Sequence, residues 1–183
     1  VDNIARVVRA ASISAVRLYN RLEVTVAQPV PDTPVLFVAN HGFGGVIDLK
    51  AWKHRNEILF DGRTGYARLA IEAGVPVVPV VTAGAGESLL VLGSGKRLAK
   101  ALRLDKVLRL KTFPLSVSIP WGVNLGLVGL LPYLPLPTEL ETTVLAPMRP
   151  EADETAEEFA VRVHSAMQAE LDELTKDRRP LVG

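Results

Sequence analysis

The run Val35-Leu36-Phe37-Val38-Ala39 constrains the fold more than any other stretch of the chain. It is short, apolar and rich in β-branched and aromatic residues, and it stops abruptly at Asn40-His41. A glycine-rich turn, Gly42-Phe43-Gly44-Gly45, follows, and beyond Val46-Ile47 stands a carboxylate, Asp48. An apolar run of this length bounded by turn residues reads as a buried strand. Strand-like and helix-like stretches both occur along the chain, which fits an α/β fold. In such folds chemistry gathers where strands run out at their carboxyl ends. One of only 3 histidines in the chain stands there. As a bare pattern, His41 fits a catalytic imidazole and a histidine that only hydrogen-bonds a turn equally well.

Composition narrows the partners. At 183 residues the chain fits one domain with a full core. Hydrophobic residues make up 48% and mean hydropathy is +0.23, which is high for a soluble protein and suits work at a membrane surface. The absence of cysteine excludes disulfides, thiolate metal sites and a cysteine nucleophile. A formal charge of +1 gives no reason to expect a nucleic-acid partner. Three scattered histidines offer no metal-ligand spacing, so no metal is expected. No secretory signal pattern opens the chain, because arginines interrupt its first apolar stretch. The abundance of Ala, Val, Leu, Arg and Gly points to a bacterial source.

Along the chain, Ile4, Val7, Val8, Ala11, Ala15, Leu18, Tyr19 and Leu22 hold the spacing of one helical face, with Arg6, Arg9, Arg17 and Arg21 opposite. Such a helix either packs on the domain or lies at an anionic membrane surface. Residues 22–27 alternate as a half-buried strand, and 28–34 carry turn residues. Glu57 to Phe60 reads as a strand turning at Asp61-Gly62. A helix over Tyr66 to Ala73 stops at Gly74. The next strand, Pro76 to Val81, carries prolines at 76 and 79, which predicts a locally unpaired edge. Residues 96–111 are basic and amphipathic, fitting a solvated helix face or anionic headgroups and coenzyme A phosphates. Further strands are expected over 113–119 and 140–148. The glycines and prolines of 121–137 rule out a spanning helix, so the stretch reads as a loop whose Trp121, Leu127, Leu130, Leu131 and Tyr133 fit a bilayer interface and burial against the domain equally well. Thr155 and Glu158 form a capping box. The terminal helix presents Phe159, Val163, Ala166, Met167, Leu171 and Leu174 on one face, and His164 is a surface or packing residue.

Two blocks carry a resemblance. The strand ending in Asn40-His41 with Asp48 beyond resembles the first motif of the glycerolipid (lysophospholipid) acyltransferase superfamily, although the 6 residues between His41 and Asp48 exceed that motif's usual spacing. Gly65-Tyr66-Ala67-Arg68-Leu69-Ala70-Ile71-Glu72-Ala73-Gly74-Val75-Pro76-Val77-Val78-Pro79-Val80 is similar to the superfamily's late block. There a helix rich in Arg-Leu-Ala and a glycine lead into a strand patterned Val-Pro-Val-x-Pro. The resemblance covers residues 22–150 and implies one domain over 1–183: an amphipathic helix at 1–21, an α/β core at 22–150 of the glycerol-3-phosphate acyltransferase type with a mixed, largely parallel β-sheet flanked by helices, and a C-terminal helix at 151–183. The family's phosphate motif, Phe-Pro-Glu-Gly or Phe-Pro-Gly-Gly, is absent. Phe60-Asp61-Gly62-Arg63 imitates it but sits directly before the late block. The stretch from Leu49 to Glu57 resembles what normally follows that motif, so a join is expected near residues 47–50, where a segment has been lost or left out. Asp48 belongs to the first motif or to the far side of that join.

The resemblance implies transfer of a fatty acyl group from an acyl-CoA or acyl carrier protein thioester to a hydroxyl of a lysophospholipid or related glycerolipid. His41 would be the general base and Asp48 its carboxylate partner. Asn40, Gly42, Gly44, Gly45, Arg63, Arg68, Val77, Pro79 and Glu87 are the candidate substrate-binding residues. The glycines offer backbone N–H groups to an oxyanion or simply make a tight turn. The arginines offer charge to a phosphate, though Arg68 also fits a plain helix surface, and Glu87 a solvated turn. No cofactor is implied beyond the acyl donor. The expected location is the cytoplasmic face of a bacterial plasma membrane, with peripheral association. A non-catalytic lipid-binding protein on a degenerate scaffold is the rival. A hydrolase is opposed by the lack of a Gly-x-Ser-x-Gly elbow.

Overall fold

The computed structural model describes residues 2–40, 52–60, 62–88, 90–93, 115–118, 122–125 and 134–183. The chain divides into two units, Val1–His41 with Asn56–Ala83 and Glu139–Arg178, and Gly42–Arg55 with Gly84–Thr138 and Arg179–Gly183.

The first unit is mixed α/β, with a partly parallel sheet and flanking helices. Its strands are β1 (Glu23–Val26), β2 (Leu36–Ala39), β3 (Val77–Ala83) and β7 (Glu141–Val144), in the order β1-β7-β3-β2. β2 and β3 pair in parallel from Leu36↔Val77 to Ala39↔Val80, and the helix α2 (Gly65–Ala73) lies between them in sequence. A parallel pair needs such a crossover, since no tight turn can join strands running the same way. β7 runs antiparallel to β3 and parallel to β1.

α2 ends as its sequence demands. Gly74 takes φ 63°, its N–H donates to Ile71 O at 3.2 Å, and Val75 N–H reaches Ala70 O at 3.1 Å. This left-handed stop satisfies the last helical carbonyls. The C-terminal helix α3 (Ala156–Thr175) starts at the expected capping box: Thr155 Oγ1 accepts from Glu158 N–H at 3.2 Å, and Glu158 Oε2 accepts from Thr155 N–H at 2.9 Å. Phe159, Val163, Met167 and Leu171 then line one buried face of α3. They meet Ala67 and Ala70 of α2, Val38 of β2, and Val77, Val81 and Ala83 of β3 in a single core. Each large apolar side chain buried this way contributes about 1.5–3 kcal/mol.

Three details bear on the expectations. β3 lies inside the sheet, and its ladder to β7 is interrupted around Pro79, as the expected locally unpaired edge requires. The isolated bridge Val77↔Met148 and the pair Val80↔Val144 are out of step by one residue, so Leu145 to Pro147 face Val78 and Pro79 as a bulge. Pro79 has no N–H for β7 to accept, and its carbonyl takes Leu145 N–H at 2.9 Å. The same bulge ends β7 at Val144, short of the expected Met148. Second, Glu57 to Phe60 joins none of the described strands. Gln168 Oε1 accepts Ile58 N–H at 2.8 Å, Gln168 Nε2 donates to Asn56 O at 3.0 Å, and His164 Nε2 lies 2.8 Å from Ile58 O. Side chains of α3 therefore do what a neighbouring strand would do, and His164 also packs edge-on against Phe60.

The third concerns α1 (Asp2–Tyr19). Among its described side chains, Val7, Ile13, Val16 and Leu18 are exposed, Leu18 at 85%. The helix ends where Arg21 adopts φ 46°, and Leu140 N–H donates to Asn20 O at 2.9 Å. Arg21 pairs with Glu139 at 3.5 Å, and Arg178 of the chain after α3 donates to the Glu139 carbonyl. So the exit of α1 is fixed to the start of β7. No helix among the described residues is long and apolar enough to cross a membrane.

The second unit holds an antiparallel sheet of β4 (Leu90–Gly93), β5 (Leu115–Ser118) and β6 (Gly122–Leu125), in that order. β6 lies inside the stretch read from sequence as a loop. Its Asn124 is buried, with Nδ2 donating to Gly122 O at 2.9 Å. Trp52–His54 and Ala85–Glu87 are short 3-10 turns. The basic stretch 96–111 and the side chains Trp121, Leu127, Leu130, Leu131 and Tyr133 lie outside the described residues.

Candidate functional site

The two sequence blocks singled out above become adjacent parallel strands. β2 delivers Asn40 at its carboxyl end, and β3 ends beside it at Thr82 and Ala83. His41, Gly42, Gly44, Gly45 and Asp48 lie outside the described residues. Asn40 is therefore the last described point on the way to the imidazole, and it is firmly tied. Its main-chain N–H donates to Val80 O at 3.2 Å. Its side-chain Oδ1 accepts Thr82 N–H at 2.7 Å, and its Nδ2 donates to Thr82 O at 2.9 Å. Thr82 Oγ1 in turn shares a hydrogen bond of 2.9 Å with Thr142 Oγ1 of β7.

This geometry changes the part expected of Asn40. Its carboxamide is engaged inside the sheet with main-chain groups of β3, so its polar atoms serve the strand rather than pointing at a substrate. Val77 and Pro79, expected to line a substrate groove, have fully buried side chains. Val77 belongs to the core beneath the sheet, packed with α3, because alternate residues of β3 turn to that face.

The arginines are solvent-facing. Arg68 lies on α2 with its side chain 72% exposed, 3.9 Å from Glu72 one turn on. That is the plain helix-surface arrangement, which leaves the guanidinium open to other anions because an exposed i, i+4 pair is weak. Arg63 is exposed just before α2, and its N–H donates to Phe60 O at 2.9 Å.

Glu87, expected in a solvated turn or against substrate, is instead buried in the second unit at 1% exposure. Its Oε2 accepts the main-chain N–H of Leu181 at 2.7 Å. The turn that carries it is tight. Gly84 takes φ 82°, and a Cβ on Gly86 would lie 2.7 Å from Arg55 O. Arg55 itself stacks 5.1 Å over the Trp52 ring and donates through Nη1 to Trp52 O at 3.1 Å.

Sequence reasoning missed Thr82 and Thr142. The available signal was a polar residue, Thr82, closing an otherwise apolar strand one residue before its end. Its partner could not be read locally, since Thr142 lies 60 residues away. Among the described residues no group of His, Asp and Glu side chains is arranged to hold a metal ion. Comparison with protein-family models, with curated proteins and with solved structures finds no match.

Proposed function

We propose that this protein is an O-acyltransferase of the glycerolipid type, with the corresponding acyltransferase fold. It would move a fatty acyl group from a coenzyme A or carrier-protein thioester to the hydroxyl of a lysophospholipid or related lipid. The observation that carries the reading is the pairing of β2 with β3. The Asn-His strand and the Val-Pro-Val strand, far apart in sequence, lie side by side with their carboxyl ends together. That end of a parallel pair is where α/β folds place their chemistry.

In this reading His41 takes the proton of the attacking hydroxyl. An imidazole with an ordinary pKa of about 6.5 is largely neutral at pH 7 and can act as the base. Positioned proton removal of this kind contributes about 10²–10⁴ in rate. Asp48 would hold the other ring nitrogen and stabilise the imidazolium. The N–H groups of Gly42, Gly44 and Gly45 are the local donors for the tetrahedral oxyanion. As that intermediate collapses, the C–S bond breaks and the thiolate leaves as coenzyme A or carrier thiol. Hydroxyl and thioester meet directly, so no acyl-enzyme is needed. Arg63 and Arg68 are exposed, and their charge would suit a phosphate on either substrate.

The exposed helix α1 supports action at a lipid surface. At about 100° per residue, Val7, Ala11, Ala15 and Leu18 fall within an arc of about 80°, and Arg6, Arg9 and Arg17 fill an arc of similar width opposite. Ile13 and Val16 interrupt the basic side. A helix with apolar side chains uncovered and arginines around them suits the interface of an anionic bilayer.

The test is acceptor-dependent release of free thiol from an acyl-CoA in the presence of lysophospholipid. His41→Ala should lower that rate by about 10²–10⁴. Equal rates for wild type and variant overturn the assignment of the base. Lipid binding without turnover by any donor favours the rival, a lipid-binding protein on the same scaffold, which the missing phosphate motif also favours.

A further inference from the structure

Parallel strands exchange evenly spaced hydrogen bonds, with every second residue of a strand giving both its N–H and its C=O to the same neighbour. On β3 the residues facing β2 are the even-numbered ones: Pro76 O takes Leu36 N–H at 2.9 Å and Val80 O takes Asn40 N–H at 3.2 Å. The next rungs in the series belong to the N–H and C=O of Thr82. A regular strand would meet them with its own main chain. Here the carboxamide of Asn40 meets both, accepting at 2.7 Å and donating at 2.9 Å. A carboxamide presents one acceptor and one N–H side by side as a peptide group does, so it can stand in for the missing rung.

We propose that Asn40 is a positioning residue for His41: its carboxamide completes the β2–β3 ladder at Thr82 and so anchors the residue to which His41 is bonded. The proposal rests on the acyl-transfer reading for what His41 does, and on the Asn40–Thr82 geometry for how it is held. Three hydrogen bonds fix Asn40, and covalent geometry keeps the next Cα about 3.8 Å away. The base therefore starts from a point anchored to the sheet. The Thr82–Thr142 hydroxyl bond anchors the receiving residue from the other side, so the clamp is tied into β7 as well. Orientation is unique: turned over, the amide would set oxygen against the Thr82 carbonyl and N–H against its N–H. Aspartate at this position fits the space but lacks the donor, and alanine lacks both groups.

The experiment measures Asn40→Ala and Asn40→Asp by steady-state kinetics, by amide exchange at Thr82 and by the NMR signal of the His41 ring. Misplacing a base by about 1 Å costs on the order of 10² in rate. Asn40→Ala should therefore lower kcat about 100-fold while KM changes less than about threefold, the pattern of a group acting on the transition state alone. Thr82 N–H exchange should accelerate at least about tenfold, with Val78 N–H unchanged, because only one rung is lost. Asn40→Asp keeps the acceptor for Thr82 N–H but sets a carboxylate oxygen against the Thr82 carbonyl, so it should also lower kcat and loosen the clamp; it carries the test if the alanine variant does not fold. Unchanged exchange at Thr82 overturns the clamp. Faster exchange with kcat intact overturns positioning and leaves a sheet contact only. If wild type transfers no acyl group, the acyl-transfer reading fails by itself and the ring signal decides. A His41 signal that broadens or splits in both variants supports positioning, and one unchanged in shift and width overturns it.

Discussion

The main-chain N–H of Leu181 ends on the carboxylate of Glu87 at 2.7 Å, at a point where the carboxylate is buried. Leu181 also carries φ 69°, in the left-handed region that a branched side chain seldom enters. The carboxylate thus holds a segment whose backbone favours letting go. Truncation by Glu87→Ala removes the acceptor of that bond and should destabilise the fold by about 1–3 kcal/mol. Glu87→Gln retains an acceptor and should cost less. Denaturant unfolding, with Leu181 amide exchange as the local reporter, checks both.

Two glycines should respond to alanine for different reasons. At Gly86 the new Cβ would lie 2.7 Å from the Arg55 carbonyl and 3.2 Å from its Cα, both main chain. Relief requires backbone movement, and overpacking of this kind costs about 1–3 kcal/mol. At Gly74 nothing lies within 4 Å of the added carbon, so only the left-handed φ of 63° opposes it. That strain is worth about 1–2 kcal/mol. Crystal structures of the two variants should show a displaced 52–55 turn in the first and an undisturbed neighbourhood in the second.

Gln168 deserves substitution because both ends of its amide serve the backbone of the 56–60 segment. Gln168→Ala should destabilise by about 1–3 kcal/mol, since Ile58 N–H then lacks its acceptor. Gln168→Glu keeps that acceptor and loses the donor to Asn56 O. It also sets a carboxylate beside Asp172, which now accepts at 2.8 Å. Urea midpoints should rank wild type above glutamate, and the loss should be accompanied by faster exchange at Ile58.

The start of α3 predicts an acid limb in stability. The hydrogen-bonded guanidinium of Arg162 holds the Glu154 carboxyl below its usual range, and the Thr155 N–H and hydroxyl do the same for Glu158. In each case the folded state binds its proton less readily than the unfolded chain. The stabilisation is therefore complete above the ordinary carboxylate pKa of about 4.3 and fades as pH falls through the lower folded values. Unfolding free energy measured from pH 6 down to about 3 should fall less steeply in the double variant Glu154→Gln, Glu158→Gln than in wild type.

Removing apolar side chains from α1 should separate lipid binding from folding. Val7→Ser with Leu18→Ser takes nothing out of the core, as both residues are exposed. Stability should change by less than about 0.5 kcal/mol. Binding to phosphatidylglycerol vesicles, measured by co-sedimentation, should weaken at least about tenfold, because each deleted apolar group loses about 0.8 kcal/mol per CH₂. Equal binding by both proteins would place the lipid contact elsewhere.

Much of the first unit was legible because its signals are local. Gly74 stops α2, Thr155 and Glu158 cap α3, and the spacing of Phe159, Val163, Met167 and Leu171 names the face that α3 buries. What was not legible depends on distant partners. Glu57 to Phe60 has the composition of a strand, but its hydrogen bonds go to Gln168 and His164. Pro79 signals a broken ladder without saying which neighbour yields, and the bulge between Val144 and Met148 answers that. β6 hides behind its glycine because main-chain pairing does not need apolar alternation, and Val123 faces solvent at 71% exposure. At the candidate site, Asn40 drew attention by standing beside His41. Its amide looked free only because Thr82 lies 42 residues further on.

The place of β7 in the sheet has a consequence for biosynthesis. Glu23 pairs with Glu141, and β3 receives its second neighbour from the same late strand. While the ribosome is still making the middle of the chain, β1 has nowhere to dock and one flank of β3 stands open. The nascent polypeptide must carry that sticky flank until the final quarter emerges. Chaperone dependence should therefore peak just before Glu141 leaves the exit tunnel, and ease once α3 follows it out.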